Sequence, residues 1–132
     1  MPGANERALE KAKGIPADAL ILDLEDAVAP DAKPEARARV CAAASSGEYG
    51  SKEIAIRVNG IGTQWHDEDI AAAAAAGPDA ILVPKVNSAE EVGILVAALE
   101  RAGAPSTPSC GRCSRPRWRC SMPRRSLRPR TD

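Results

Sequence analysis

Aromatic residues and long apolar runs are scarce in this sequence. Among 132 residues there is no phenylalanine, one tyrosine and two tryptophans, so a core must be built from alanine, isoleucine, leucine and valine. No apolar run approaches the roughly 20 residues that cross a bilayer, and the N-terminus lacks the charged-then-apolar order of a secretory signal. These absences argue against a membrane or secreted protein, and we expect a soluble cytoplasmic one.

Histidine, cysteine and glycine motifs give little sign of a reactive centre. His66 is the single histidine, and without a nucleophile near it we expect a surface or helix-capping role. Cys41 stands alone, while the other three cysteines lie in the last 28 residues, so a disulfide framework is not supported. No phosphate-loop or dinucleotide-binding glycine pattern occurs, which argues against nucleotide hydrolysis and hydride transfer.

The charges divide the chain in two. Residues 1–104 hold 10 lysines and arginines against 17 aspartates and glutamates, whereas residues 105–132 hold 8 arginines against one aspartate. The zero net charge is therefore the sum of −7 and +7. The second part also lacks hydrophobic periodicity, so we predict a folded region over 1–104 and a disordered tail over 105–132.

Residues 1–104 predict helices that alternate with strands. Short apolar runs, typical of strands buried on both faces, occupy 19–24, 54–58 and 80–83. Helical patterns that end near glycine or proline occupy 5–13, 33–45, 63–76 and 88–101. This alternation is typical of an α/β fold in which about three parallel strands are flanked by helices.

Polar and charged side chains follow each predicted strand. They are Asp23, Glu25 and Asp26 after the first strand, Arg57 and Asn59 at the second, and Lys85 and Asn87 after the third. In parallel α/β folds the carboxyl ends of the strands form the edge where ligands bind. The convergence therefore predicts a ligand site at this edge.

Each of these residues has a functional and a structural interpretation. Glu25 and Asp26 are candidate ligands of a hard cation such as Mg²⁺, directly or through water, or they orient a catalytic water; the alternative is a capping or turn role. Arg57 interrupts an apolar strand and needs an anionic partner, which is Glu25, Asp26 or a substrate carboxylate or carbonyl. Lys85 presents the same choice, with a solvated position as the alternative.

Four segments in order resemble the HpcH/HpaI aldolase and citrate lyase beta-subunit family. The resemblance extends from Met1 to about Pro105. Within the family the segments are most similar to the CoA-ester lyases that act on citryl-CoA or malyl-CoA type substrates. The segments are 1–12 (MPGANERALEKA), 17–28 (ADALILDLEDAV), 56–60 (IRVNG) and 81–86 (ILVPKV).

The resemblance implies a (β/α)₈ TIM barrel and Mg²⁺-dependent retro-Claisen or retro-aldol cleavage of a carbon–carbon bond in a β-hydroxyacyl-CoA. It implies catalytic roles for Glu25, Asp26 and Arg57, and substrate contacts for Arg57, Lys85 and Gly3. Cleavage leaves an enolate, whose charge needs a preplaced cation. Asp26 stands where the 2-keto-acid aldolases of the family carry a histidine, which favours the CoA-ester branch and leaves the aldolase as an alternative. The resemblance also implies an acyl-CoA or small carboxylate substrate and a homo-oligomer.

Two departures from the family pattern predict a truncated, inactive barrel. Members begin with a strand of the type Arg-Ser-Xaa-Leu-Tyr before the Pro-Gly turn, and this sequence begins at the turn. The fifth strand of the family carries a Glu-Thr-Pro motif whose glutamate binds the metal, followed by a metal-binding aspartate. Neither is present here, so we expect no metal ligand in this chain beyond water-mediated contacts of Glu25 and Asp26.

We hypothesise that a frameshift near residues 105–108 produced the tail. Read in a neighbouring frame, suitable codons for residues 110–126 encode LWAMLETPLAVLNAAEI, which contains the missing Glu-Thr-Pro. Most wobble bases in this reading are free, but the single codons of Trp118 and Met122 each supply a G that makes the next shifted codon alanine.

A non-enzymatic acidic α/β domain with a basic arm is the alternative. Cys110 and Cys113 have the spacing of half a zinc site, but a second pair is missing. Eight arginines are also suited to binding nucleic-acid phosphates. Because GC-rich DNA in a wrong frame yields the same arginine and proline content, we favour the frameshift and do not expect a nucleic-acid partner.

Overall fold

A computed structural model describes residues 1–103 and 117–120. It contains the four predicted helices and the three predicted strands, with ends within three residues of the prediction, and one further strand. The helices are α1 (Glu6–Ala12), α2 (Lys33–Ser45), α3 (His66–Ala76) and α4 (Ala89–Arg101), and a 3-10 helix (Pro30–Ala32) precedes α2. The strands are β1 (Ala19–Asp23), β2 (Glu53–Arg57), β3 (Ala80–Val83) and β4 (Arg117–Cys120).

The strands form one parallel sheet in the order β1-β2-β3-β4. In its register Leu22 lies beside Ile56, and Ile56 lies beside Ile81. The prediction of an α/β fold with parallel strands and flanking helices is confirmed, and parallel strands in sequential order with helices between them are consistent with part of a (β/α)₈ barrel.

The helices cover one face of this sheet. Alternate residues of β1 and β2, such as Leu22 and Ile56, are fully buried and join the core residues of the helices, such as Val40 and Ile70. On the opposite face Ile21 is 48% exposed. Because side chains alternate along a strand, Asp23 and Arg57 lie on this second, open face at its carboxyl end.

Residues 1–3 extend the sheet alongside β1. The Asp23 N–H donates to the Met1 carbonyl at 2.8 Å, and the Gly3 N–H donates to the Asp23 carbonyl at 2.9 Å. A Cβ atom at Gly3 would lie 2.6 Å from Cγ2 of Val40. Gly3 is therefore required for packing, and its predicted contact with substrate stays a prediction.

Strand β4 lies in the segment for which the sequence predicts disorder. Residues 117–120 pair in parallel with β3, with Trp118 beside Ile81 in the register. The sequence pattern did not reveal this strand, because pairing at a sheet edge is made by backbone hydrogen bonds and does not require alternating hydrophobic side chains. The other tail residues, including Cys110, Cys113 and the proposed frameshift position, lie outside the described residues.

Within the described ranges, no helix is both long enough and apolar enough to cross a membrane.

Candidate functional site

The carboxyl ends of the first three strands bring charged side chains to one edge of the sheet. Nη1 of Arg57 lies 3.8 Å from Oε2 of Glu25, and Nζ of Lys85 lies 3.7 Å from Oε1 of the same carboxylate. A cavity of about 260 Å³ opens beside them, with Asp26 and Asn59 in its wall. The edge at which the sequence places a site thus holds an acidic group between two cations.

Arg57 pairs chiefly with Asp23, not with Glu25 or Asp26 as the sequence predicts. Its Nε and Nη2 each donate to one carboxylate oxygen of Asp23 at 2.7 Å, which is a bidentate pair. The reason is the register, because Asp23 and Arg57 are directly opposite on neighbouring strands and face the same side. This pairing fixes the guanidinium in one orientation.

The backbone also holds Asp23 in its ionised form. Its two oxygens accept the N–H groups of Glu25 at 2.9 Å and Ala27 at 3.1 Å. Burial acts against the charged carboxylate, but the hydrogen bonds from Arg57 and from these two N–H groups outweigh it and lower the pKa of Asp23 below its ordinary value. The same pair, above all the hydrogen bond to Asp23, raises the pKa of Arg57.

Glu25 and Asp26 occupy different environments although they are adjacent. The Glu25 side chain is 11% exposed and lies between two cations, and it accepts the Asp26 N–H at 3.2 Å. Asp26 is exposed at the cavity mouth. Glu25 therefore has the fixed position that a catalytic carboxylate needs, and Asp26 is open to water or to a ligand.

Lys85 reaches the site from a strained backbone. It is the described non-glycine residue with a positive φ, at 56°, and its side chain is 80% exposed. A left-handed conformation costs a non-glycine residue on the order of 1 kcal/mol and is enriched at functional sites. The turn follows the buried Pro84 and redirects the chain just where β3 ends.

Sequence reasoning missed Lys33, which is 6% exposed at the start of α2. Its Nζ donates to the carbonyls of Leu24 and Glu25 and to Oδ1 of Asn59, and it lies 4.9 Å from the centre of the Trp65 ring. The sequence did contain a signal for Lys33. A lysine in the first turn of a helix is unfavourable beside the positive end of the helix dipole, so its presence there indicates that other contacts hold it.

The sequence predicts a surface or helix-capping role for His66, and the prediction of a surface position is wrong. The residue does begin α3, but it is 4% exposed, and its Nδ1 lies 2.8 Å from the Asn59 carbonyl oxygen. Nδ1 therefore carries the proton, because a carbonyl only accepts. Its role in the described part of the chain is to fix the loop after β2.

Comparison with known proteins shows the family of this chain. The model of the HpcH/HpaI aldolase/citrate lyase family matches residues 1–105. This chain belongs to that family. The family match agrees with the resemblance carried by the four sequence segments and with the parallel sheet.

Several relatives are named for activities on malyl-CoA compounds. A (3S)-malyl-CoA thioesterase of Cereibacter sphaeroides is 50% identical over 92 residues, which are 70% of this chain and 32% of that protein. An L-malyl-CoA/beta-methylmalyl-CoA lyase of the same species is 38% identical over 113 residues, covering 81% and 36% of the two chains. The chain thus spans about a third of the length of these curated relatives.

A solved relative shows the same fold. The crystal structure of RipC from Yersinia pestis matches with a TM-score of 0.54 and 30% identity, over 77% of this chain and 40% of that one.

The described residues do not by themselves fit the metal that lyases of this family typically use. Within residues 1–103 and 117–120, no group of three histidine, cysteine, aspartate or glutamate side chains could hold an ion. Glu25 also lies within 4 Å of Arg57 and Lys85, whose positive charges oppose a further cation there.

Proposed function

We propose that this chain forms the first part of a barrel that acts on a β-hydroxyacyl-CoA of the malyl-CoA or citryl-CoA type. Arg57 binds a substrate oxygen, Lys85 binds a second anionic group, and Glu25 and Asp26 complete the polar wall. The observation that carries the proposal is the fixed orientation of Arg57. Asp23 engages two of its nitrogens, while Nη1 lies too far from Glu25 for a hydrogen bond.

Such a guanidinium suits the charge that develops on a CoA thioester. Retro-Claisen cleavage of the carbon–carbon bond leaves an enolate on the thioester oxygen. Hydrolysis of the thioester passes through a tetrahedral intermediate with negative charge on that same oxygen. A preorganised cation in a half-buried site stabilises either charge, so Arg57 serves both reactions.

Carbon–carbon cleavage is the main candidate, and thioester hydrolysis is the second. The lyase assignment follows the family, whose members are typically lyases. The second candidate is supported by relatives of 47–50% identity that are named malyl-CoA thioesterases.

Binding tests the substrate class. Isothermal titration of (3S)-malyl-CoA into the full chain should show binding that Arg57→Gln weakens about tenfold or more, equivalent to roughly 1.4 kcal/mol. Arg57→Lys keeps the charge but loses the bidentate fork, and it should lie between the two. Arg101→Gln, on the exposed end of α4, is the control. Equal binding by the wild type and Arg57→Gln would refute the proposal.

We further propose that this chain alone does not turn over its substrate, because the Glu-Thr-Pro glutamate and the later aspartate to which the family resemblance assigns the metal are absent from its sequence. The chain is incubated with (3S)-malyl-CoA and MgCl₂, and acetyl-CoA, glyoxylate and the free thiol of CoA are measured. None should form. Acetyl-CoA with glyoxylate would show a competent lyase, and free thiol without acetyl-CoA would show a thioesterase; either would overturn the proposed inactivity. Mg²⁺ dependence, a homo-oligomer and a cytoplasmic location stay predictions for the intact enzyme.

The origin of residues 105–132 is a separate proposal. If a frameshift produced them, the coding DNA in a neighbouring frame must encode the Glu-Thr-Pro segment, and any other reading there contradicts it. The alternative, a basic arm that binds nucleic acid, is tested by filter binding of the full chain against residues 1–104. Binding that is specific and depends on the tail would favour the arm.

A further inference from the structure

Lys33 is a buried cation that the proposed chemistry does not use. Its three hydrogen bonds, at 2.7 to 3.0 Å, all go to uncharged oxygens of Leu24, Glu25 and Asn59. Among the described residues no carboxylate lies within ion-pairing distance of its Nζ. An ammonium has three N–H donors, so all of them are engaged and none is free to deliver a proton to a ligand.

Two of the three acceptors of Lys33 lie at the turn that carries Glu25. The carbonyl of Glu25 accepts from Lys33 at 2.9 Å, while the N–H of Glu25 donates to Asp23 at 2.9 Å. Both backbone polar groups of Glu25 are thus held, one by a buried cation and one by a buried anion. The same Glu25 carbonyl also accepts the Val28 N–H at 3.2 Å. Together these hydrogen bonds on opposite sides of one residue restrict its backbone dihedrals and hence the direction of its side chain.

The other anchor of Lys33 is itself rigidly held. Asn59 donates from its backbone N–H at 3.0 Å, and from its side-chain amide, to Oδ2 of the 1% exposed Asp69. The other oxygen of Asp69 accepts from Nε of Arg37 at 2.7 Å. These bonds join α2, the loop after β2 and α3, so Lys33 ties the Glu25 turn to a fixed part of the fold.

We propose that Lys33 is a positioning residue: its buried ammonium joins the loops after β1 and β2 and thereby holds the Glu25 carboxylate between Arg57 and Lys85. That the Glu25 carboxylate takes part in catalysis rests on the proposed function. That Lys33 holds this carboxylate in place does not depend on the proposed function.

The test observes the site in the free, full chain by NMR. The Glu25 carboxyl carbon and the Arg57 Nε–H are followed in Lys33→Met, which keeps the length of the side chain but removes its donors. Lys33→Arg keeps the charge and donors. Lys52→Met is the matched control, because Lys52 also donates to a backbone carbonyl, that of Lys13, but near the amino end of the sheet.

We expect Lys33→Met to shift both resonances and to increase exchange of the Arg57 Nε–H with water. Lys33→Arg should restore both toward the wild type, and Lys52→Met should leave them unchanged. If Lys33→Met loses its dispersed spectrum, Lys33→Gln, which keeps two donors, takes its place in the same comparison. If Lys33→Met lowers the thermal stability but leaves the Glu25 and Arg57 resonances unshifted, Lys33 has only a structural role. Chemical-shift changes spread evenly over residues 1–103 would lead to the same conclusion. No substrate is present, so failure of malyl-CoA to bind leaves this result unaffected.

Discussion

Replacement of Asp23 by asparagine should destabilise the fold and release Arg57. Each carboxylate oxygen of Asp23 accepts one backbone N–H and one N–H of Arg57. An asparagine amide can supply an oxygen on one side alone. Whichever way it is turned, its NH₂ faces two donors and two hydrogen bonds are lost.

The cost follows from burial and charge. Breaking a buried ion pair by removing one partner costs about 3–5 kcal/mol, and a hydrogen bond to a charged group contributes about 1.5–3 kcal/mol. Asp23 is 4% exposed, but the Arg57 side chain is 34% exposed and water partly solvates it. We therefore expect a loss of about 2–4 kcal/mol, a large part of the 5–15 kcal/mol typical of a domain.

The pH dependence gives the effect a signature. The pKa of Asp23 lies below its ordinary value of 3.8, so its charge stabilises the fold fully above that pH. This stabilisation is lost as the pH falls through the lowered pKa of the folded state. The difference between the wild type and Asp23→Asn should therefore shrink in acid.

Urea unfolding followed by circular dichroism at pH 7 and at decreasing pH measures both effects. Asp18→Asn, at an exposed carboxylate, is the control and should change the free energy of unfolding by less than about 0.5 kcal/mol. A loss below about 0.5 kcal/mol for Asp23→Asn, or a difference independent of pH, would refute the account of this pair.

Substitutions at three further positions test local features of the fold by the same unfolding measurement. Gly3→Ala would place its Cβ 2.6 Å from Val40, and we expect a loss of about 1–3 kcal/mol; a neutral result would contradict the close approach. Lys85→Gly should be more stable than Lys85→Ala by about 1 kcal/mol, since alanine keeps the penalty of the positive φ; equal stabilities would mean that the turn is unstrained. Ser88→Ala removes the side-chain acceptor of the Glu91 N–H at the start of α4 and should cost about 1 kcal/mol, while an unchanged midpoint would show that the cap contributes nothing.

Much of the fold was predictable because glycine and proline separate its elements clearly. The run at 80–83 and the helical pattern at 33–45 match β3 and α2 in the structure. The predicted start of α3 at residue 63 differs from His66, since residues 63–65 form turns before the helix begins. Strand β4 lies in a segment without the alternation or apolar run on which such predictions depend.

The site was predictable in its place but not in its contacts. Strand order puts Glu25, Arg57 and Lys85 at one edge whatever the register, because parallel strands share a carboxyl end. The pairing of Arg57 with Asp23 depends on which residues lie opposite one another, and the two are 34 positions apart. The contact between Lys33 and Asn59, 26 positions apart, likewise depends on how α2 packs on the sheet.

The most direct test of the central claim is an NMR titration of the full chain with (3S)-malyl-CoA, following backbone amide resonances. The account predicts that the shifted amides concentrate at the carboxyl edge of the sheet, at residues 24–26, 57–60 and 84–87, and that Arg57→Gln strongly reduces the shifts at matched concentration. Shifts confined to the amino ends of the strands, or an edge that does not respond, would contradict the claim that Glu25, Arg57 and Lys85 form part of a CoA-thioester site.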